Sequence, residues 1–149
     1  MKMLLALVIS MFATISAHAM MGGGVYSLQE CSYDFAVKGG AVGTIDLCGK
    51  KAIPAGSYIV SGFYTVEQAF TSGGAATVAL GDAASSGRYL AATSYSNAAF
   101  ALNNIAQYAI GVPFYADVAN KGKLSLTIAG AALTAGKLKM MVLVYKPKL

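Results

Sequence analysis

Apolar and polar residues alternate along most of this chain with the two-residue period of half-buried β-strands. Leu124-Ser125-Leu126-Thr127-Ile128 shows the alternation most cleanly. Cys31 to Val37 also alternates, with Tyr33, Phe35 and Val37 on one face. Val42 to Cys48 reads as its return strand across Lys38-Gly39-Gly40-Ala41, because paired glycines accept the positive φ of tight hairpins. Pro54-Ala55-Gly56 marks a second turn, with proline setting φ and glycine relieving strain. In the long run Ser57 to Phe70, residues Tyr58, Val60 and Val66 share one parity and Ile59, Phe63 and Thr65 the other. Gly62 between them predicts a bulge that lets the buried face switch. Ser72-Gly73-Gly74 reads as a hairpin turn into Ala75 to Gly81, and Thr134-Ala135-Gly136 as the last turn. The final strand, Leu138 to Tyr145, is apolar on both faces over Met140 to Val144, which predicts a central or covered position. Pro147 ends it, since proline donates no ladder hydrogen bond.

The stretch from Asp82 to Asn120 reads as long loops carrying one or two short elements. Leu102, Ile105, Ala106 and Ala109 fit a short helix ending at Gly111; Tyr108 to Val112 fit a strand equally well. About eight strands with regular turn signals predict an all-β fold, a single antiparallel β-sandwich of jelly-roll type.

The start of the chain has a different character. Lys2, the apolar run Leu4 to Ile15 and the small-x-small motif Ala17-His18-Ala19 predict an export segment over residues 1–19, cleaved after Ala19. Residues 20–29 follow as a flexible leader containing Gly22-Gly23-Gly24, and residues 30–149 as the sandwich domain. No later stretch reaches the ~20 unbroken apolar residues of a spanning helix.

Cys31 and Cys48 are the only cysteines. A two-residue Gly39-Gly40 turn sets them directly opposite each other, within disulfide reach. The apolar pattern favours a three-residue loop, which pairs Phe35 with Ile45 and sends the cysteines to opposite faces. Both registers stay open, and a disulfide is the expectation carried forward, since export would let it persist. Two thiols without histidine make an incomplete zinc shell.

Composition narrows the function. His18 is the only histidine and lies in the export segment, so the body lacks the side chain that titrates near neutral pH. The acidic residues Glu30, Asp34, Asp46, Glu67, Asp82 and Asp117 are scattered, with no obvious acid–base pair. No phosphate loop, nucleophile elbow, metal motif or cofactor motif is present. An enzyme is therefore not expected. The formal charge is +5, with Lys121, Lys123, Lys137, Lys139, Lys146 and Lys148 clustered late and Arg88 the sole arginine. Lysines of this kind keep strand edges soluble, and specific nucleic-acid binding is not expected. Only 11% of residues are charged and 56% are hydrophobic, so neighbouring copies are expected to cover part of the surface.

Several turn-and-strand phrases carry a resemblance. They are Tyr33 to Leu47 (YDFAVKGGAVGTIDL), Ile53-Pro54-Ala55-Gly56, Thr71 to Leu80 (TSGGAATVAL) and Ala131 to Lys137 (AALTAGK). Together they resemble a family of small structural proteins encoded by tailed bacteriophages. The resemblance implies a β-sandwich component of a virion: capsid decoration, cement or fibre. Its implied partners are copies of itself, as a homo-oligomer, and other particle proteins. The export segment and cysteine pair instead suit a secreted or cell-envelope module, such as an adhesin or fimbria-like subunit.

Overall fold

A computed structural model of the chain describes residues 23–49, 53–107, 114–116 and 123–148. The expected export segment, its cleavage site at Ala19 and the expected strand over Tyr108 to Val112 lie outside the described residues. The elements are β1 (Gly24–Asp34), a helical turn α1 (Phe35–Lys38), β2 (Gly43–Asp46), β3 (Ser57–Ser72), β4 (Thr77–Asp82), β5 (Leu90–Ser94), a 3-10 turn (Ala98–Phe100), β6 (Ile105–Gln107), β7 (Phe114–Ala116), β8 (Leu124–Ala129) and β9 (Leu133–Pro147). Sheet A runs β1-β9-β3-β6, with β7 also pairing β3; sheet B runs β2-β8-β4-β5. Every pairing is antiparallel. Interleaving chain-distant strands across two sheets is the jelly-roll form of the β-sandwich, as the strand pattern predicts.

The glycine pairs do something other than close hairpins. β1 lies in sheet A and β2 in sheet B, so Gly39-Gly40 sits in an arch between layers. Asp34 caps α1 through its side chain, accepting from the Ala36 amide at 3.0 Å, and Gly39 at φ 71° ends that turn. Gly40 is then pinned to the start of β9, where its carbonyl accepts from the Leu133 amide at 2.8 Å. A Cβ on Gly40 would strike the Leu133 carbonyl, so only glycine allows this approach. Gly73-Gly74 likewise carries the chain from β3 in sheet A to β4 in sheet B. Both expected hairpins are thereby replaced by crossings. Local turn chemistry is the same in the two cases, and the partner strands decide.

Three further expectations are corrected. Residues 24–29 of the predicted leader form the first half of β1, in continuous register with β9. Thr134-Ala135-Gly136 is no turn but part of β9; the Phe70 ring packs against Gly136, opposite the irregular end of β3. The predicted helix through Ile105 and Ala106 is strand β6, because Val66 exchanges backbone hydrogen bonds with Asn103 and Asn104 at 2.9 Å and draws the segment onto β3.

The predicted bulge in β3 is present, displaced from Gly62. The register shifts between Ile59 and Ser61, so Ile59 faces inward on one side of it and Gly62, Tyr64 and Val66 on the other. β9 is central in sheet A, between β1 and β3. Its even residues Leu138, Met140, Val142 and Val144 enter the core against Leu124, Leu126 and Ile128 of β8 and Val78 and Leu80 of β4. Tyr33 stacks on Phe70 at 5.6 Å and Phe70 meets Phe100 at 5.0 Å. Such ring pairs add about 0.5–1.5 kcal/mol each beyond the area they bury.

Candidate interaction surface

The outer face of sheet A is unlike the rest of the surface. Side chains alternate across a strand, so the neighbours of the buried even residues of β9 point out. These are Lys137, Lys139, Met141, Leu143 and Tyr145, all half-buried. The registers set Tyr26 and Tyr58 on either side of Tyr145, Leu28 beside Leu143, and Phe63 beside Met141. The Tyr26 and Tyr145 rings lie 4.8 Å apart. Tyr26 and Leu28 are 39% and 51% exposed. One half of the face is therefore an aromatic and aliphatic surface, continued at its margin by exposed Val60.

The other half is charged and internally paired. Lys139 lies 2.8 Å from Glu67 and 3.9 Å from Glu30, and Lys137 lies 3.5 Å from Asp34 and 3.6 Å from Glu67. The hydrogen bond from Lys139, opposed by slight burial and reinforced by the two lysine charges, holds the Glu67 carboxyl below its ordinary value. The same hydrogen bond raises the Lys139 amine. The late lysines Lys137 and Lys139 are thus paired with carboxylates of their own sheet.

Cys31 and Cys48 are joined by a disulfide, with Cα atoms 4.4 Å apart. Neither hairpin register accounts for it. Cys31 stands in β1 of sheet A and Cys48 just beyond β2 of sheet B, so the bond staples one layer to the other. Beside it the Ser32 amide donates to the Leu47 carbonyl at 3.1 Å. The Lys38 ammonium donates to the carbonyls of Ser32, Asp46 and Leu47 at 2.8, 2.6 and 3.1 Å. Burial lowers the Lys38 amine, with the Asp46 charge opposing. Asp46 accepts from the Cys48 and Gly49 amides and pairs with Lys123 at 3.1 Å. Burial pushes its carboxyl up, but these partners outweigh burial and hold it below its ordinary value. Lys38 and the Ser32–Leu47 bond join the two layers beside the disulfide, while Asp46 fixes the end of β2 within its own sheet.

Among the described residues Asp82 is the buried acid, 4% exposed. One oxygen accepts from the Ala84 and Ser85 amides and the other pairs with Arg88 at 2.5 Å, closing the loop between β4 and β5. Burial and the Asp82 charge raise the neighbouring Tyr89 hydroxyl. Burial, aided by the Asp34 charge, pushes Tyr33 up to about 12, and its hydroxyl donates to the Gly39 carbonyl at 2.9 Å. Both groups are fixtures of the fold. Among the described residues no group of three or more His, Cys, Asp or Glu could hold a metal. No helix among them is long and apolar enough to cross a membrane.

The sequence signalled part of this surface and hid the rest. Met140 to Val144, apolar on both faces, pointed to covering. Tyr26 and Leu28 were masked by their position after the glycine run, which made a leader the simpler reading.

Solved structures share this two-layer jelly-roll fold. One chain of the cyanophage Pam1 capsid asymmetric unit is similar, with TM-score 0.62 and 21% identity over 84% of this chain and 87% of that one. A chain of the acidic stable capsid of Helicobacter pylori bacteriophage KHP30 is similar, with TM-score 0.57 and 16% identity over 83% and 89%. At these identities the likeness is one of fold. No protein-family model and no curated protein sequence matches the chain.

Proposed function

We propose that this chain is a non-enzymatic structural subunit of a bacteriophage particle, a capsid decoration, cement or fibre protein. It sits in the virion by packing the apolar half of the sheet A face against another particle protein. The observation that carries this reading is that face: Tyr26, Leu28, Phe63, Met141, Leu143 and Tyr145 gather on the outer side of sheet A, outside the core formed by the described residues. Exposed aromatic and aliphatic clusters rimmed by polar residues mark protein contacts. The likeness to chains of two phage capsids supports the same reading. The chain requires no cofactor for this role, and its protein contacts involve no specific nucleic acid.

Mass spectrometry of purified particles, with N-terminal sequencing of the chain, tests the proposal. The chain is expected in the particle at fixed stoichiometry. A start at Met20 supports removal of residues 1–19. Recovery only in a secreted or envelope fraction overturns the virion role and favours the exported module.

A further inference from the structure

We infer that the exposed edge of β1, residues Gly24 to Glu30, pairs with the same edge of a second copy. Two chains then form one continuous antiparallel sheet about a two-fold axis at Ser27. β1 is the outermost strand of sheet A. The Ser32 amide donates away from β9, to Leu47, and the Ser32 carbonyl accepts from Lys38 on that same side. Backbone groups alternate in direction along a strand, so the amides and carbonyls of Tyr26, Leu28 and Glu30 also face away from β9. Beyond Ser32 this side is occupied by Leu47; before it, none of these groups has a backbone partner among the described residues.

Protected edges carry proline, lysine or a bulge. The Gly24 to Glu30 edge has none of these, and its register with β9 is unbroken. It reads instead as a pairing strand.

The strand fits its own copy. Because Ser32 is already held by Leu47, the self-pairing that uses the whole exposed segment centres on Ser27. Tyr26 then hydrogen-bonds opposite Leu28 of the second copy, and Gly24 opposite Glu30. The apolar half of the sheet A face becomes continuous across both chains, through Tyr58, Tyr145 and Tyr26. Each Glu30, the single charge on the segment, moves to the end of the other sheet that carries exposed Lys146 and Lys148. This inference rests on the assembly reading proposed above, but its test uses purified protein, so the two fail separately.

The test combines sedimentation with directed cross-linking in the full chain. Both native cysteines are disulfide-bonded, so an introduced cysteine is the only free thiol. Ser27 and its symmetry mate form a pair within disulfide reach, whereas two Leu28 residues lie diagonally, beyond it. Ser27→Cys is expected to cross-link into dimers about tenfold more than Leu28→Cys. Wild type is expected to sediment as a dimer. Leu28→Pro, which removes an edge amide and no bond to β9, is expected to sediment as a monomer with an unchanged thermal transition. Tyr26→Lys repeats the test by charge should the proline variant fail to fold. A monomeric wild type overturns the inference, as does a dimer that survives both substitutions or cross-links through Leu28→Cys instead. A dimer absent from particles would leave the inference standing and sink the virion role.

Discussion

The two outer faces of this sandwich were built to opposite specifications. Sheet A shows the solvent Tyr26, Leu28, Phe63, Met141, Leu143 and Tyr145. By the same alternation, sheet B presents Thr44, Ser125, Thr127, Ala129, Thr77, Ala79 and Gly81. Thr44 and Thr127 hydrogen-bond each other at 3.1 Å, and the loop at Ser85 and Ser86 closes over Gly81. Sheet B lines its outer face with small side chains and lays its own loop over part of it, while among the described residues sheet A carries large apolar side chains on its outer face. A subunit that lived alone would have reason to treat the faces alike. On the function proposed above, the apolar half of sheet A is the face a partner covers, and sheet B is the face the chain finishes with its own small residues and loop.

Substitutions that reverse this asymmetry are expected to have the largest effect. Leu143→Asp places a charge at the centre of the apolar half, and incorporation into particles is expected to fall about thirtyfold or more, the scale of a hot-spot residue. Thr127→Asp on sheet B is expected to leave incorporation within about twofold. Quantitative mass spectrometry of particles carrying each variant, with thermal unfolding as the control for folding, measures both. Equal losses would erase the distinction between the faces.

Next in size is the staple that holds the faces in one body. The Cys31–Cys48 loop spans 17 residues, and replacing both cysteines with serine is expected to cost about 3 kcal/mol by denaturant unfolding. The first losses of amide protection are expected in β1 and in the segment after β2, the two ends the bond ties together. An unchanged midpoint would mean that the hydrogen bonds of Lys38 and Ser32 hold the layers unaided.

Paired carboxylates on the two sheets give a smaller, graded contrast. Asp46 accepts from the Cys48 and Gly49 amides as well as pairing with Lys123. Asp46→Ala is therefore expected to cost about 1–2 kcal/mol. Glu67 on sheet A pairs, among the described residues, with the half-exposed Lys137 and Lys139, and Glu67→Gln is expected to cost under about 1 kcal/mol. Both carboxyls are held below their ordinary value in the fold. Each therefore contributes fully above the unfolded carboxylate value, and its contribution is lost as pH falls through the lower folded one. Wild-type stability is expected to decline from about pH 5 towards pH 2, less steeply in Asp46→Ala than in Glu67→Gln. The reverse order would assign the larger share to the sheet A lattice.

The sandwich was legible wherever a strand carried its own pattern. Leu124 to Ile128 alternates because β8 has one buried face, and Met140 to Val144 is apolar on both faces because β9 is central with an apolar outer surface. The connections were not legible. Gly39-Gly40 and Gly73-Gly74 have hairpin chemistry, but the Leu133 amide and the pairing of β1 with β9 turn them into arches, a long-range choice no local window contains. For the same reason the cysteine pair was anticipated through the wrong geometry: its partners meet across the layers rather than across a hairpin. The apolar half of the sheet A face needed both facts at once, since Tyr26 and Leu28 join Leu143 and Tyr145 only after β1 crosses the whole chain to reach β9.

The most direct measurement is hydroxyl-radical footprinting of the chain free in solution and assembled in the particle. The account predicts that Tyr26, Phe63, Met141 and Tyr145 lose reactivity on assembly while half-buried Tyr95, beside sheet B, keeps it. Unchanged reactivity across the sheet A residues, with protection appearing at Tyr95, would contradict it.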